Sequence, residues 1–472
     1  MIYNNLGSII ECDKDIIYSS SDLQNMVAVL ANKFHSSAIG VGDRVVLMRP
    51  ASGLFFAELL SLWSIGAVVL VLNPDITDFE LVNICEFSGV TKYVGQNREV
   101  INLTHIDSDI SGSETRISLN NVKTKLDDDA LILFTSGSTG KPKGVVHTHR
   151  SILSRITSNI TSIGSDVLST TLLTLPVFFG HGLIGNSLTP LLNGSKLVIG
   201  GTGLKNFAKH PSYIEKYKVT FMSSVPSYWK FMLTLNNNHD LSSLKQINVG
   251  SAPLSTDLWG QIINWSGKAN VVNMYGITET CNWVGGAGSK DNNITDGLVG
   301  KGIGATFGVI DSNGNISNKG EGEIVIQSPS LLNRYLNNEN ETSSVMKGLW
   351  YKTGDLGFFD TNNNLIISGR VKFEINKGGL KIAAEEIDLL LERHELIISA
   401  CAFSIADEFS GELIGVAVVV KNGFEVQKIR EWCSDYITPY KIPDKWYVIE
   451  SMPLNERGKV DRLKVNELCK NL

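Results

Sequence analysis

Between residues 21 and 94, stretches with helical spacing alternate with short runs rich in Val, Ile and Leu, and this alternation narrows the fold more than any other feature. Helical patterns cover 21–34, 54–65 and 81–87, and extended runs fall at 44–48, 68–72 and 92–94. Such a succession predicts parallel strands covered by helices, an α/β architecture. The same rhythm returns over 177–200 and 219–250 and carries a large domain with parallel-rich sheets to about residue 367. Beyond it, an amphipathic helix at 382–392, strands at 400–405 and 413–420, and a helix at 426–440 predict a small C-terminal α+β domain. The expected division is 1–367, a connection at 368–372, and 373–472. A chain of 472 residues exceeds what one hydrophobic core usually supports, which agrees with two domains. The polar stretch 107–129 reads as a surface connection inside the large domain.

A formal charge of −6 offers no broad basic field for a nucleic-acid backbone, so nucleic acid is not an expected partner. The six cysteines are scattered, with no CxxC pair and no zinc spacing, which suits reduced thiols. No basic segment followed by an apolar run marks an export signal near Met1, and a cytoplasmic location is expected. The one candidate membrane segment, 53–72, contains Glu58 and is interrupted by Gly66, so it reads as a buried helix followed by a strand.

The richest stretch chemically is Leu131-Ile-Leu-Phe-Thr-Ser-Gly-Ser-Thr-Gly-Lys-Pro-Lys-Gly-Val-Val146, a buried strand running into a hydroxyl- and glycine-rich loop. Gly137, Gly140 and Gly144 let the backbone approach an anion, Ser136, Ser138 and Thr139 add hydroxyls, and Lys141 and Lys143 add charge. Polyphosphate is the ligand such a loop suits. It is not a Walker loop, because Pro142 follows Lys141 where that motif needs Ser or Thr. Taken alone, the loop also fits a surface turn.

Thr135-Ser-Gly-Ser-Thr-Gly-Lys-Pro-Lys-Gly144 resembles the signature loop of the adenylate-forming superfamily, which includes acyl-CoA synthetases, adenylation domains and luciferases. Further motifs follow in that family's order: Tyr275-Gly-Ile-Thr-Glu279, Tyr351-Lys-Thr-Gly-Asp355, Gly369-Arg370, Lys377-Gly-Gly-Leu-Lys-Ile382 and Arg457-Gly-Lys-Val-Asp-Arg462. Val41-Gly-Asp-Arg-Val45 extends the likeness toward the start. The resemblance implies an AMP-forming acid:thiol ligase that uses ATP and Mg2+, makes an acyl-adenylate with release of pyrophosphate, and passes the acyl group to coenzyme A. It implies that 1–367 binds nucleotide and acid, that 368–372 is a hinge and that 373–472 is a mobile domain.

By the same resemblance, Thr135, Ser136, Gly137, Ser138, Thr139, Gly140 and Lys143 hold the phosphates, and Glu279, beside Thr278, helps hold magnesium. Gly250, Ser251, Ala252, Tyr275 and Gly276 fall where the family builds its adenine pocket, and Asp355 with Arg370 takes the ribose hydroxyls. Lys459 is the expected catalytic cation, a clamp on developing charge between acid and α-phosphate. Lys372 occupies the hinge place, although Val371-Lys-Phe-Glu374 lacks the commoner acidic doublet. Rotation there would exchange Lys459 for Gly378, Gly379 and Leu380, the expected thiol-binding loop.

On the acid side, Leu175-Pro-Val-Phe-Phe-Gly-His-Gly-Leu183 resembles the family segment facing the acyl group, with His181, Gly276 and Ile277 as candidate contacts. A structural histidine with ordinary hydrogen-bond partners is the competing reading. No acidic residue lies between Pro176 and Asn186 to hold an α-ammonium, so a small-molecule carboxylic acid without that group is expected. Two alternatives stay open at this level: a carrier-protein phosphopantetheine loaded in trans, and, from a different class, a phosphoryl-transfer ATPase or kinase.

Overall fold

The computed structural model describes residues 5–76, 78–98, 102–110, 124–135, 143–236, 238–290, 293–311, 313–370, 374–377, 380–407, 410–437, 439–456 and 458–472. Two sheets build the large domain. In the first, Arg44–Met48, Val68–Val71, Lys92–Gly95, Thr104–Ile106 and Asp129–Thr135 run parallel, and Lys143–Thr148 folds back antiparallel on Asp129–Thr135. Val68–Val71 is apolar and buried throughout, as a central parallel strand covered on both faces requires.

The second sheet is parallel through Ser8–Glu11, Lys196–Ile199, Thr170–Leu173, Phe221–Ser224, Gln246–Gly250 and Asn270–Gly276. It continues as an antiparallel ribbon through Trp283–Gly288, Leu298–Gly302, Leu365–Arg370, Trp350–Phe359, Glu321–Gln327 and Thr306–Ile310. Helices Ser20–Ser36, Gly53–Ser64 and His149–Ile163 lie between the sheets: Leu30, Phe55, Trp63 and Ile152 share one core with Val45 and Val69 on one side and Ile9 and Leu197 on the other.

Glu58, which excluded a membrane span at sequence level, is fully buried in Gly53–Ser64 and bound by Arg49 Nε at 3.0 and 2.8 Å and by the Ser108 hydroxyl at 2.5 Å. Burial pushes its carboxyl pKa up, and Arg49 opposes that. Among the described residues no helix is long and apolar enough to cross a membrane.

The small domain is a five-stranded sheet in the order Leu380–Ala383, Glu374–Lys377, Gly411–Val420, Ile397–Asp407, with Lys445–Val448 beside Gly411–Val420. Helices Ala384–Leu391, Val426–Ser434 and Arg462–Lys470 complete it, the second ending six residues before the expected 440. Leu365–Arg370 pairs within the large domain, and the small sheet begins at Glu374.

Candidate active site

Three neighbouring parallel strands, Phe221–Ser224, Gln246–Gly250 and Asn270–Gly276, end on one edge of the second sheet. In open α/β sheets that carboxyl edge is where ligands collect. Gly250 runs into Ser251, a non-glycine residue in the left-handed region at φ +68°. Gly276 leads into Ile277 and the 3-10 turn Thr278–Thr280; a Cβ on Gly276 would lie 2.3 Å from Asn282 O, so only glycine fits there. The turn is anchored from beneath by His147, whose Nε2 is 2.9 Å from Thr278 O and whose Nδ1 is 3.1 Å from Cys281 Sγ. Burial pulls the His147 pKa down to about 4 and pushes the Cys281 thiol up to about 12, so both stay neutral.

Glu279 leaves this turn to meet two tyrosines. The Tyr335 hydroxyl donates to Glu279 Oε1 at 2.8 Å and stands 2.8 Å from the Tyr351 hydroxyl. Burial first, then the Glu279 charge, raises both phenol pKa values, so both remain donors. Lys143 Nζ sits 3.6 Å from the Tyr335 ring centroid and 2.8 Å from Glu341 Oε1, bringing positive charge to the Glu279 side. Across the sheet Asp355 is 2% exposed and accepts from the Tyr275 hydroxyl at 2.5 Å. Arg370 pairs directly opposite Asp355 in the ladder. Thr135 ends its strand opposite Lys143, while Ser136, Gly137, Ser138, Thr139 and Gly140 lie outside the described residues, as do Lys372, Gly378 and Gly379.

His181 opens an eight-residue π-helix, His181–Leu188. The Thr189 hydroxyl donates to Ile184 O at 2.7 Å and Ser187 to Gly182 O, both reaching back five residues, which suits the wider turn. The imidazole is buried, with Nδ1 2.8 Å from Ser251 Oγ and Nε2 2.7 Å from Ser223 Oγ, and the Trp283 ring crosses it edge-on at 5.1 Å. Its two nitrogens thus tie the π-helix to two of the three strand ends. Burial pulls its pKa down to about 3, and the Lys459 charge pulls the same way.

Lys459 is delivered by a hairpin of the small domain. Leu454 and Val460 bridge its base, Asn455 N–H donates to Lys459 O at 2.8 Å, and Lys459 N–H donates to Asn455 Oδ1 at 3.2 Å. A Cβ on Gly458 would lie 3.6 Å from Ser227 Oγ of the large domain. Ion pairs Lys230–Glu392, at 3.2 Å, and Arg393–Asp296 join the domains nearby. Sequence reasoning missed Tyr335 and Ser223, which belong to no quoted motif, and gave no role to Tyr351, although it opens Tyr351-Lys-Thr-Gly-Asp355.

The sequence profile described as AMP-binding enzyme matches residues 7–336, and that of the AMP-binding enzyme C-terminal domain matches 386–459. An oxalate–CoA ligase of Arabidopsis thaliana is 30% identical over 344 residues, 71% of this chain and 66% of its own length. A long-chain-fatty-acid–CoA ligase of Mycobacterium tuberculosis is 29% identical over 491 residues, 98% of this chain and 95% of its own. The o-succinylbenzoate CoA synthetase of Bacillus subtilis, in complex with its acyl-adenylate intermediate, shares the fold with a TM-score of 0.87 over 98% of this chain and 95% of that one, at 22% identity.

Proposed function

This chain belongs to the AMP-binding enzyme family, and from that premise we propose that it joins a carboxylic acid to coenzyme A in two steps, at the expense of ATP. In the first step a carboxylate oxygen attacks the α-phosphorus; the new O–P bond replaces the bond to pyrophosphate, which leaves. In the second step the thiol sulfur attacks the acyl carbon, a C–S bond replaces the C–O bond to AMP, and the thiol proton passes to solvent.

What supports this reading is the convergence of Ser251, Gly276 and Glu279 at the ends of neighbouring strands, to which His181 is tied through both its nitrogens. Lys459 clamps the acid oxygen and α-phosphate as negative charge builds, a contact worth most in the transition state. Asp355, held by Tyr275, accepts the ribose hydroxyls, with Arg370 beside it on the next strand. Gly250, Ser251, Ala252 and Gly276 form the adenine-side wall, and the phosphates are assigned to Thr135, Lys143 and residues 136–140 of the signature motif. Glu279, one carboxylate braced by a tyrosine hydroxyl beside Thr278, fits a magnesium ion, which takes few protein carboxylates and completes its shell with phosphate oxygens and water. Such an ion, when bound, offsets the phosphate charge. His181 and Ile277 border the acid; His181 acts by fixing Ser251 and Ser223, since both its nitrogens are engaged.

For the second step we propose the division 1–367, 368–372 and 373–472, with rotation about Lys372 bringing Gly378, Gly379 and Leu380 to the thiol. The relatives are named for acids as unlike as oxalate and long-chain fatty acids, so kinship does not choose the acid. The absence of an acidic residue between Pro176 and Asn186 supports one without an α-ammonium. Acid-dependent exchange of pyrophosphate into ATP across a panel of acids, followed by mass detection of CoA thioesters, tests the reading. AMP and thioester are the expected products; ADP, or no exchange with any acid, would sink it.

A further inference from the structure

Arg155 is a fully buried cation on helix His149–Ile163 with no described carboxylate paired to it. Its Nε and Nη2 donate to Ser330 Oγ at 3.2 and 2.8 Å, Nη2 also to Ser328 Oγ at 3.3 Å, and Nη1 to Ile303 O at 2.7 Å. A guanidinium has five N–H groups, so Nη1 keeps a hydrogen beyond the one Ile303 accepts. Elsewhere the protein answers such charge directly: Arg462 meets Asp388 and Glu385, and Arg49 meets Glu58. Burying a cation without an anion is costly, and here burial pulls the guanidinium pKa down to about 10.

Two more buried donors near the acid side lack an acceptor among the described residues, Asn282 Nδ2 and Trp283 Nε1. Both residues press on the π-helix that His181 opens: a Cβ on Gly185 would lie 2.0 Å from Asn282 Nδ2 and 2.7 Å from the Trp283 ring. That ring crosses His181 and belongs to the cluster against which Ile303 packs, and the Ile303 carbonyl is the Arg155 acceptor. On the far side Gly304 and Ser328, both beside the guanidinium, line a groove of about 830 Å³; a Cβ on Gly304 would be 3.8 Å from Nη2. Among the described residues, buried donors therefore outnumber acceptors from the acid side to Arg155, and the oxygens of a ligand would supply acceptors there.

We infer that Arg155 receives a second carboxylate of the acid, so that the substrate is a dicarboxylic acid with its reacting end at Lys459 and its far end led past Asn282 and Trp283 to the guanidinium. This rests on the ligase reading above. Oxygen atoms of the far carboxylate complete the hydrogen bonding of Nη1 and neutralise the buried charge, which a methyl-terminated acid of the same length cannot do. The discrimination is strong because the monoacid leaves the site's polar groups unpaired.

The test compares length-matched pairs, succinate with butyrate, glutarate with valerate and phthalate with benzoate, by acid-dependent pyrophosphate exchange on the full chain. The diacid of at least one pair is expected to have the higher kcat/KM, and Arg155→Gln to raise its KM by roughly 10- to 100-fold while shifting the monoacid and ATP far less. Arg155→Lys, which keeps the charge, should recover part of the preference. Monoacids favoured in every pair, or a diacid preference unmoved by Arg155→Gln, would overturn the assignment and leave Arg155 as a brace between helix and loops. Should Arg155→Gln fail to fold, the wild-type preference and the lysine variant decide. A chain that exchanges pyrophosphate with no acid at all refutes the ligase reading instead.

Discussion

The nucleotide side of the cleft and the lysine that closes it are held by different kinds of contact. Asp355, Tyr275, Glu279, Tyr335 and Tyr351 form buried and half-buried hydrogen-bonded groups within one domain. Hydrogen bonds to charged groups contribute about 1.5–3 kcal/mol each, and loss of one partner strands the other. Lys459 belongs to the small domain and sits in a short hairpin, and half-exposed ion pairs join that domain to the large one. Such pairs contribute about 0–1 kcal/mol. The difference teaches that the side proposed for ATP is preformed while the contacts on the lysine side are cheap to break, which suits the domain rotation proposed above.

The sharpest way to break this contrast is Lys459→Ala. Pyrophosphate exchange should fall by roughly 100- to 1,000-fold with ATP affinity largely kept, read by exchange kinetics beside nucleotide titration. A parallel loss of ATP binding would merge the two regions.

Acid should separate the domains next. Burial holds His181 at about 3, and His147 and the fully buried His210, which opens helix His210–Tyr217 of the large domain, at about 4, while the unfolded chain protonates near 6.5. Between those values the unfolded state binds more protons, so the large domain's stabilisation is present above pH 6.5 and lost as pH falls, by about 2 kcal/mol per histidine at pH 5. In the small domain burial raises the Asp388 pKa against the pull of Arg462, the opposite sign, so its contribution is present at low pH and lost as pH rises through the folded value. Hydrogen exchange at pH 7 and 5 should show the large domain loosening first; equal loosening of both would contradict the assignment.

Tyr275→Phe removes the donor that fixes Asp355 and should raise the KM for ATP by about 10-fold, with a smaller effect on the acid. Arg393→Ala should matter least, lowering adenylate formation by less than about 5-fold and leaving thioester formation from preformed acyl-adenylate intact, as expected of an exposed pair. A tenfold loss in that second assay would show that the interface is not shed between steps.

Strand Arg44–Met48 was legible to the residue because a β-branched run between turn residues fits little else. The motifs likewise led to Glu279, Asp355 and Lys459, since each joins a distinctive residue to a glycine turn. The antiparallel ribbon from 283 to 370 was not foreseen: glycines within its strands, as in Trp283–Gly288 and Leu298–Gly302, weaken the alternation that marks a strand. The π-helix at 181–188 was hidden too, because its wider turn depends on Ser187 and Thr189 reaching back five residues and on Asn282 pressing on Gly185. Arg155 gave no signal, for a lone arginine on a helix reads as solvated until Ser328 and Ser330 are seen against it.

Strand Ser8–Glu11 is flanked in the second sheet by Lys196–Ile199 and the short Ile16–Tyr18, and its parallel neighbour is encoded far downstream. On a ribosome working at about 5–20 residues per second, Ile9 and Ile10 must wait roughly ten to forty seconds for that neighbour to be made. Through that interval an apolar edge is open to other nascent chains, so the yield of this protein in a cell depends on what shelters its first strand as well as on the stability of the finished fold.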